Sequence, residues 1–211
     1  RVVDAVLDGF TLTNGQKDIG AGMFNDRTSP TVANCIFIDN EATFTPNGGG
    51  GMYNSEGSPT VINCQFIEND AAGNGGGIFN WQNSSPTITD CVFRDNWSGS
   101  NGGGIYTDGD SAFRRLAPIT NTTFEGNEAD QFGGGMYITD ASLTITGSTF
   151  RDNLARQGGG LANFDTSGVT VENSMFINNE AWEGDGGGML NDSSDITIVN
   201  GTFAVNLSDG D

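Results

Sequence analysis

Seven times at a near-regular interval along the chain a Phe is followed three residues later by an Asn: Phe37/Asn40, Phe66/Asn69, Phe93/Asn96, Phe124/Asn127, Phe150/Asn153, Phe176/Asn179 and Phe203/Asn206. Successive Phe residues lie 29, 27, 31, 26, 26 and 27 positions apart, and Leu12 stands in the same column one interval earlier. A period of this size marks a repeat protein, in which one unit cannot bury its apolar side alone and must stack on the next.

Aligning the copies on the Phe shows what each position must do. Five residues before it stand Leu7, Val32, Val61, Ile88, Ile119, Ile145, Val171 and Ile198. Three before it stand Gly9, Asn34, Asn63, Asp90, Asn121, Gly147, Asn173 and Asn200, residue types that tolerate a left-handed backbone at a bend. Upstream, a glycine run leads into an apolar pair, as in Gly77-Ile78-Phe79 and Gly135-Met136-Tyr137. Each copy reads as three short β segments between turns, and no segment has the apolar spacing of a helix. The expected fold is therefore all-β: a single-stranded parallel β-helix of about eight coils with three short strands per coil, residues 1–211 forming one domain. At about 4.8 Å per coil the rod is on the order of 34 Å long.

Two columns predict specific interior contacts. The Asn column, Asn40, Asn69, Asn96, Asn127, Asn153, Asn179 and Asn206, reads as an internal amide ladder, because a buried amide left unpaired costs about 1–3 kcal/mol. Two residues before the Phe, Cys35, Cys64 and Cys91 occupy one column, continued by Thr122. The chain has no His to complete a metal site, and parallel side-chain vectors suit a disulfide poorly, so buried free thiols are expected.

Charge narrows the partners. The formal net charge is −19 with eight basic residues, which argues against nucleic acid and against anionic membrane surfaces. No apolar run approaches a membrane span, so no membrane insertion of this segment is expected. The acids fall in stripes: Asp39, Glu68, Asp95 and Asp152 two after the Phe, and Glu41, Asp70, Glu128 and Glu180 four after it. A solvated face explains them; the sharper reading is weak Ca2+ binding between coils through Asp39, Glu68 and Asp95, the one cofactor the residues suggest. One after the Phe, Arg94, Glu125 and Arg151 predict a stacked charge ladder.

The segments between the Asn column and the glycine run vary in length and hold Phe44, Trp97, Phe132 and Trp182. Aromatics on turns serve sugar-binding or protein-binding surfaces, or fold back over the rim; Trp97, Phe132 and Trp182 are taken as candidate ligand contacts. The longest insertion, Asp108 to Ala117, carries Arg114 and Arg115, a doubled basic site able to dock a carboxylate. Six before the Phe, Thr31, Thr60, Thr87, Thr144, Thr170 and Thr197 form a rank interrupted by Pro118, which strand propensity explains and which an ice-binding solenoid would also show. N-x-S/T sequons occur at Asn83, Asn96, Asn121, Asn191, Asn200 and Asn206; the ladder should bury Asn96 and Asn206, which leaves loop sites such as Asn83 and Asn191.

Together the FxxN and glycine-glycine-aliphatic motifs resemble the repeats of chlamydial-type polymorphic outer-membrane proteins and related bacterial surface β-helices, from Leu7 to Asn206. The departure is Gly where that family usually has Ala before the aliphatic residue, as in Gly77-Ile78. The resemblance implies a right-handed coil and an extracellular or cell-surface rod, structural or adhesive, that binds a glycan or a surface protein. Arg1 already lies inside a coil, so a fragment of a longer secreted protein is expected, with end-to-end self-association through open strand edges. The rival reading is a polysaccharide lyase or glycoside hydrolase, since the scaffold hosts both. Against it, Lys17 and Arg27 offer little for a lyase base, and a cleft should break the columns, which only the Asp108 to Ala117 insertion does.

Overall fold

The computed structural model describes residues 5–109, 116–165 and 167–209, and among them the chain is all strand and turn. The strands pair in parallel into four sheets that run the length of the rod, three of eight strands and one of seven. Counted in chain order this is seven complete coils and three strands of an eighth. The first sheet holds the Val/Ile column, as in Thr87–Thr89, and the second holds the Phe column, as in Val92–Arg94. The third holds pairs such as Asp70–Ala71, and the fourth the segments after the glycine runs, as in Ile105–Asp108.

The expectation of three strands per coil is corrected to four. The additional strand directly follows the Asn column and in most coils is two residues long, as in Glu41–Ala42 and Glu180–Ala181. A two-residue strand is too short to show alternation, so it reads as part of a turn.

The columns otherwise stack as the repeat requires. Phe93 pairs in register with Phe66 on one side and Phe124 on the other, and the rings lie face to face at 4.7 and 5.1 Å. Phe37 through Phe176 in this column are fully buried, each contributing about 2–3 kcal/mol of transfer free energy. In the last coil Phe203 has a neighbour on one side only and is 45% exposed.

Beside the rings runs the amide ladder. Asn96 Nδ2 donates to Asn127 Oδ1 at 2.8 Å and to the Phe66 carbonyl at 3.0 Å. Its Oδ1 accepts from Asn69 Nδ2 at 3.0 Å and from the Asn69 backbone N–H at 3.1 Å. Both amide hydrogens and the carbonyl oxygen are thus satisfied, and the pattern repeats from Asn40 to Asn206.

The thiol column is buried and unbridged. It is more than apolar filling, because Cys64 Sγ donates to the Ile62 carbonyl at 3.3 Å and accepts from the Cys35 N–H at 3.4 Å. Thr122 and Ser148 carry the same bonds onward, Thr122 Oγ1 to the Thr120 carbonyl at 3.0 Å and Ser148 Oγ to the Thr146 carbonyl at 3.2 Å. Burial pushes the Cys35 thiol up, and the hydrogen bond with Cys64 together with burial holds that of Cys91 well above its ordinary range.

Corners between strands explain much of the composition. All eight residues three before the Phe take the left-handed conformation, from Asn121 and Asn173 at φ 50 to Gly9 at φ 74. The column two after it does the same, with Asp39 at φ 54, Glu68 at φ 50 and Asp95 at φ 55, joined by Asn14, Gly126, Asp152, Asn178 and Val205. Asp and Asn are the non-glycine residues that bear this geometry best, so this half of the acidic stripe has a backbone cause.

Candidate functional site

The fourth sheet carries what the repeat does not require. Strand alternation turns Ile105 and Thr107 inward and Tyr106 and Asp108 outward, in register with Met136–Thr139 and with Leu161–Phe164 one coil further. The outward rings form a second stack, Phe24, Tyr53, Phe79, Tyr106 and Tyr137, at spacings of 4.9–5.2 Å. Within it Tyr53, Phe79 and Tyr106 have a ring on both faces, while Phe24 at the first coil stacks on Tyr53 and is 51% exposed. At the next coil the column holds Ala162, and the space is closed by Phe164, 5.6 Å from Tyr137, and by Phe132, edge-on to Phe164 at 4.9 Å. Tyr137, Phe132 and Phe164 are half-buried and make up the end of the stack at the fifth and sixth coils, opposite the exposed Phe24 end.

Carboxylates rim the Tyr137 end. The Tyr106 hydroxyl donates to Asp108 Oδ2 at 3.5 Å. Burial first, and the neighbouring Asp140 second, push the Asp108 carboxyl up to about 6. Burial likewise raises the phenols of Tyr106 and Tyr137. Asp140 and Asp165 stand exposed at left-handed corners of the two following coils. Among the described residues Arg27, Arg94, Arg151 and Arg156 form their ion pairs elsewhere, with Asp26 and Glu56, Asp95, Glu125 and Glu183.

The interior is irregular at the same coils. A second amide ladder, which the repeat reading missed, runs Asn25 to Asn54 at 2.8 Å and Asn54 to Asn80 at 2.9 Å. It then meets Thr107 at 3.2 Å and Ile138, and resumes from Asn163 to Asn191 at 2.7 Å. Its signal was present in sequence, as the Asn two after the aliphatic residue in Met52-Tyr53-Asn54 and Ile78-Phe79-Asn80. The third sheet also slips register here, between Ala129 and Phe132.

Of the described residues expected to contact ligand, Phe132 joins this cluster and Trp97 and Trp182 do not. Trp97 is half-buried in the strand Trp97–Ser98, between Asp70 and Glu128, and is thus part of a sheet and not a loop. Trp182 follows the strand Glu180–Ala181 and is 43% exposed, three coils from Trp97. Arg114 and Arg115 lie outside the described residues.

Asp39, Glu68 and Asp95 stand at one corner of successive coils, yet among the described residues no group of three or more acidic, Cys or His side chains is arranged to hold a metal ion. Charge does accumulate there: burial, then Glu41, Asp39 and Glu68, raise the Asp70 carboxyl. The expected three-residue charge ladder is reduced to one pair. Arg151 binds Glu125 at 2.6 Å, while Arg94 turns to its own neighbour Asp95 at 3.5 Å.

Four parallel sheets wound by one chain, with like side chains stacked coil on coil, define a parallel β-helix. Residues 76–210 match a family model described as the right handed beta helix region, and the chain belongs to that family. No curated protein and no solved structure matches the chain.

Proposed function

We propose that this chain is an extracellular binding rod whose contact face is the outside of the fourth sheet at the fourth to sixth coils, holding a glycan or surface protein without turning it over. The observation that carries this reading is a coincidence of departures. The insertion after Asp108, the gap in the second amide ladder, the register slip before Phe132, one end of the outer ring stack and the raised Asp108 carboxyl all fall within these coils. A repeat that keeps most of its columns elsewhere, a second register slip between Ser167 and Val169 aside, gives up local consistency where another demand competes with folding. Half-buried rings beside hydrogen-bonding carboxylates suit a ligand with both apolar faces and hydroxyls. The likeness of the repeats to those of polymorphic outer-membrane proteins supports the extracellular placement.

An array of glycans and surface proteins probed with the wild-type rod and with Phe132→Ala tests the proposal. Ligands retained by the wild type should be lost at least tenfold by the variant, a loss of about 1.4 kcal/mol. Equal retention by both proteins would place the contact face elsewhere.

One observation favours a second reading. A carboxyl raised to about 6 next to Asp140 is the pairing a glycoside hydrolase uses for acid and base. Turnover of a bound glycan that Asp108→Asn abolishes would establish it over the binding rod.

A further inference from the structure

The six sequons do not share one environment. Asn121 and Asn200 are exposed, sit at left-handed corners with φ 50 and 51, and reach Asp90 Oδ1 and Asn173 Oδ1 on the surface at 3.2 Å. Asn96 is 1% exposed, and both hydrogens of its Nδ2 are committed, to Asn127 Oδ1 and the Phe66 carbonyl. Of the two favoured from the sequence, Asn83 is half-buried with its Oδ1 buried and without a partner, while Asn191 is exposed, accepting from Asn163 and donating to the Ser194 carbonyl.

We infer that Asn121 and Asn200 accept an N-linked glycan without harm to the fold, whereas a glycan on Asn96 prevents the rod from closing, so that this chain matures on a route without an oligosaccharyltransferase. The transfer breaks the bond between the sugar C1 and its lipid pyrophosphate carrier. It replaces one Nδ2–H of the Asn by Nδ2–C1, and the proton leaves with the carrier. At Asn121 the second N–H remains for Asp90, and the sugar projects into water. At Asn96 one N–H is left for two buried acceptors, and the sugar has no space between coils packed at sheet spacing.

Ser98 makes the inference testable. It is the third residue of the Asn96 sequon, and its column holds Ala42, Ala71, Ala129, Ala155 and Ala181, all fully buried. Ser98→Ala therefore erases the sequon by installing the residue that other coils already use. It removes a hydroxyl whose single hydrogen is shared between the Gly73 and Asn101 carbonyls, at 2.8 and 2.9 Å, and whose oxygen accepts from the Ser100 N–H at 3.2 Å.

The 211-residue chain, wild type and Ser98→Ala, is secreted from a eukaryotic host with and without an inhibitor of lipid-linked oligosaccharide synthesis, and glycopeptides are mapped in the secreted and retained fractions. Expected are glycan at Asn121 on the secreted rod, glycan at Asn96 only on retained protein, and a several-fold rise in wild-type secretion with the inhibitor. Ser98→Ala should show that rise without inhibitor; should Ser98→Ala itself lower stability, the inhibitor arm on wild type carries the comparison. A folded, secreted rod bearing sugar on Asn96 would overturn the inference, as would Asn96 found unmodified in every fraction.

Discussion

Asn127 and Asn206 share a column but not an environment. Asn127 is fully buried and bonded to the coils on both sides; Asn206 sits half-exposed in the last coil, accepting from Asn179 and donating to the Phe176 carbonyl. Asn127→Ala strands acceptors and donors that water cannot reach, and about 2–3 kcal/mol of stability should be lost. Asn206→Ala should cost about 1 kcal/mol or less, since solvent takes over its partners. Urea unfolding of both variants gives the comparison, and equal midpoints would contradict the ladder. Asp108 makes a pH prediction. Its carboxyl is raised from 3.8 to about 6, so the folded protein holds a proton there that the unfolded chain gives up. Stability from this group is therefore greatest in acid and falls as pH rises from about 4 through about 6. Partial exposure screens the effect to about 1 kcal/mol, and Asp108→Asn should remove that slope and melt higher than wild type at pH 7.5. At this scale the sequence displayed the amide column openly, because identity recurs at a fixed offset. It did not display the bonding of the Cys column, since Cys, Thr and Ser look unrelated until their Sγ and Oγ atoms are seen making one pattern of bonds.

Corners and glycine runs set the limits of each element. A Cβ on Gly77 would lie 2.5 Å from the Gly104 carbonyl oxygen and 2.9 Å from Phe93 Cδ1. The same contact recurs at Gly104 and Gly135, which is why glycine holds this column. Gly77→Ala must push two coils apart and should cost about 2–3 kcal/mol by thermal or urea unfolding. The opposite sign is expected at Val205, a β-branched residue held at φ 55 where other coils use Asp, Asn, Glu or Gly. It is 70% exposed, so Val205→Asn relieves strain without loss of packing and should stabilise by about 1 kcal/mol in the same assay. Three of the four strands per coil were legible, because an apolar column or a glycine run announces each. The third sheet was not: the column of Ala42, Ala71, Ser98 and Ala129 can be read as small interior filling, but strands mostly two residues long carry no alternation to mark them as a sheet. The candidate site was half legible, since Phe132 and the insertion stand out in sequence. Tyr106, Tyr137 and Phe164 look like routine repeat positions, and their meeting depends on Ala162 leaving a gap one coil away.

At the scale of the whole rod, every sheet joins a strand to its counterparts one coil above and below, and the element contacts follow the same neighbours. Cohesion is thus a sum of like interfaces between adjacent units. Residues 128–153 run from the position after one ladder Asn to the next ladder Asn, so excising them joins Asn127 directly to Leu154, the step the chain already takes from Asn153. The shortened protein should still melt cooperatively, at a lower temperature, while losing Phe132, Tyr137 and Asp140 and with them whatever ligand the wild type retains. A chain built this way can change its reach by whole storeys without being redesigned, and a lineage that gains or loses one storey alters how far its contact face stands from its base while leaving the joinery of every other storey as it was.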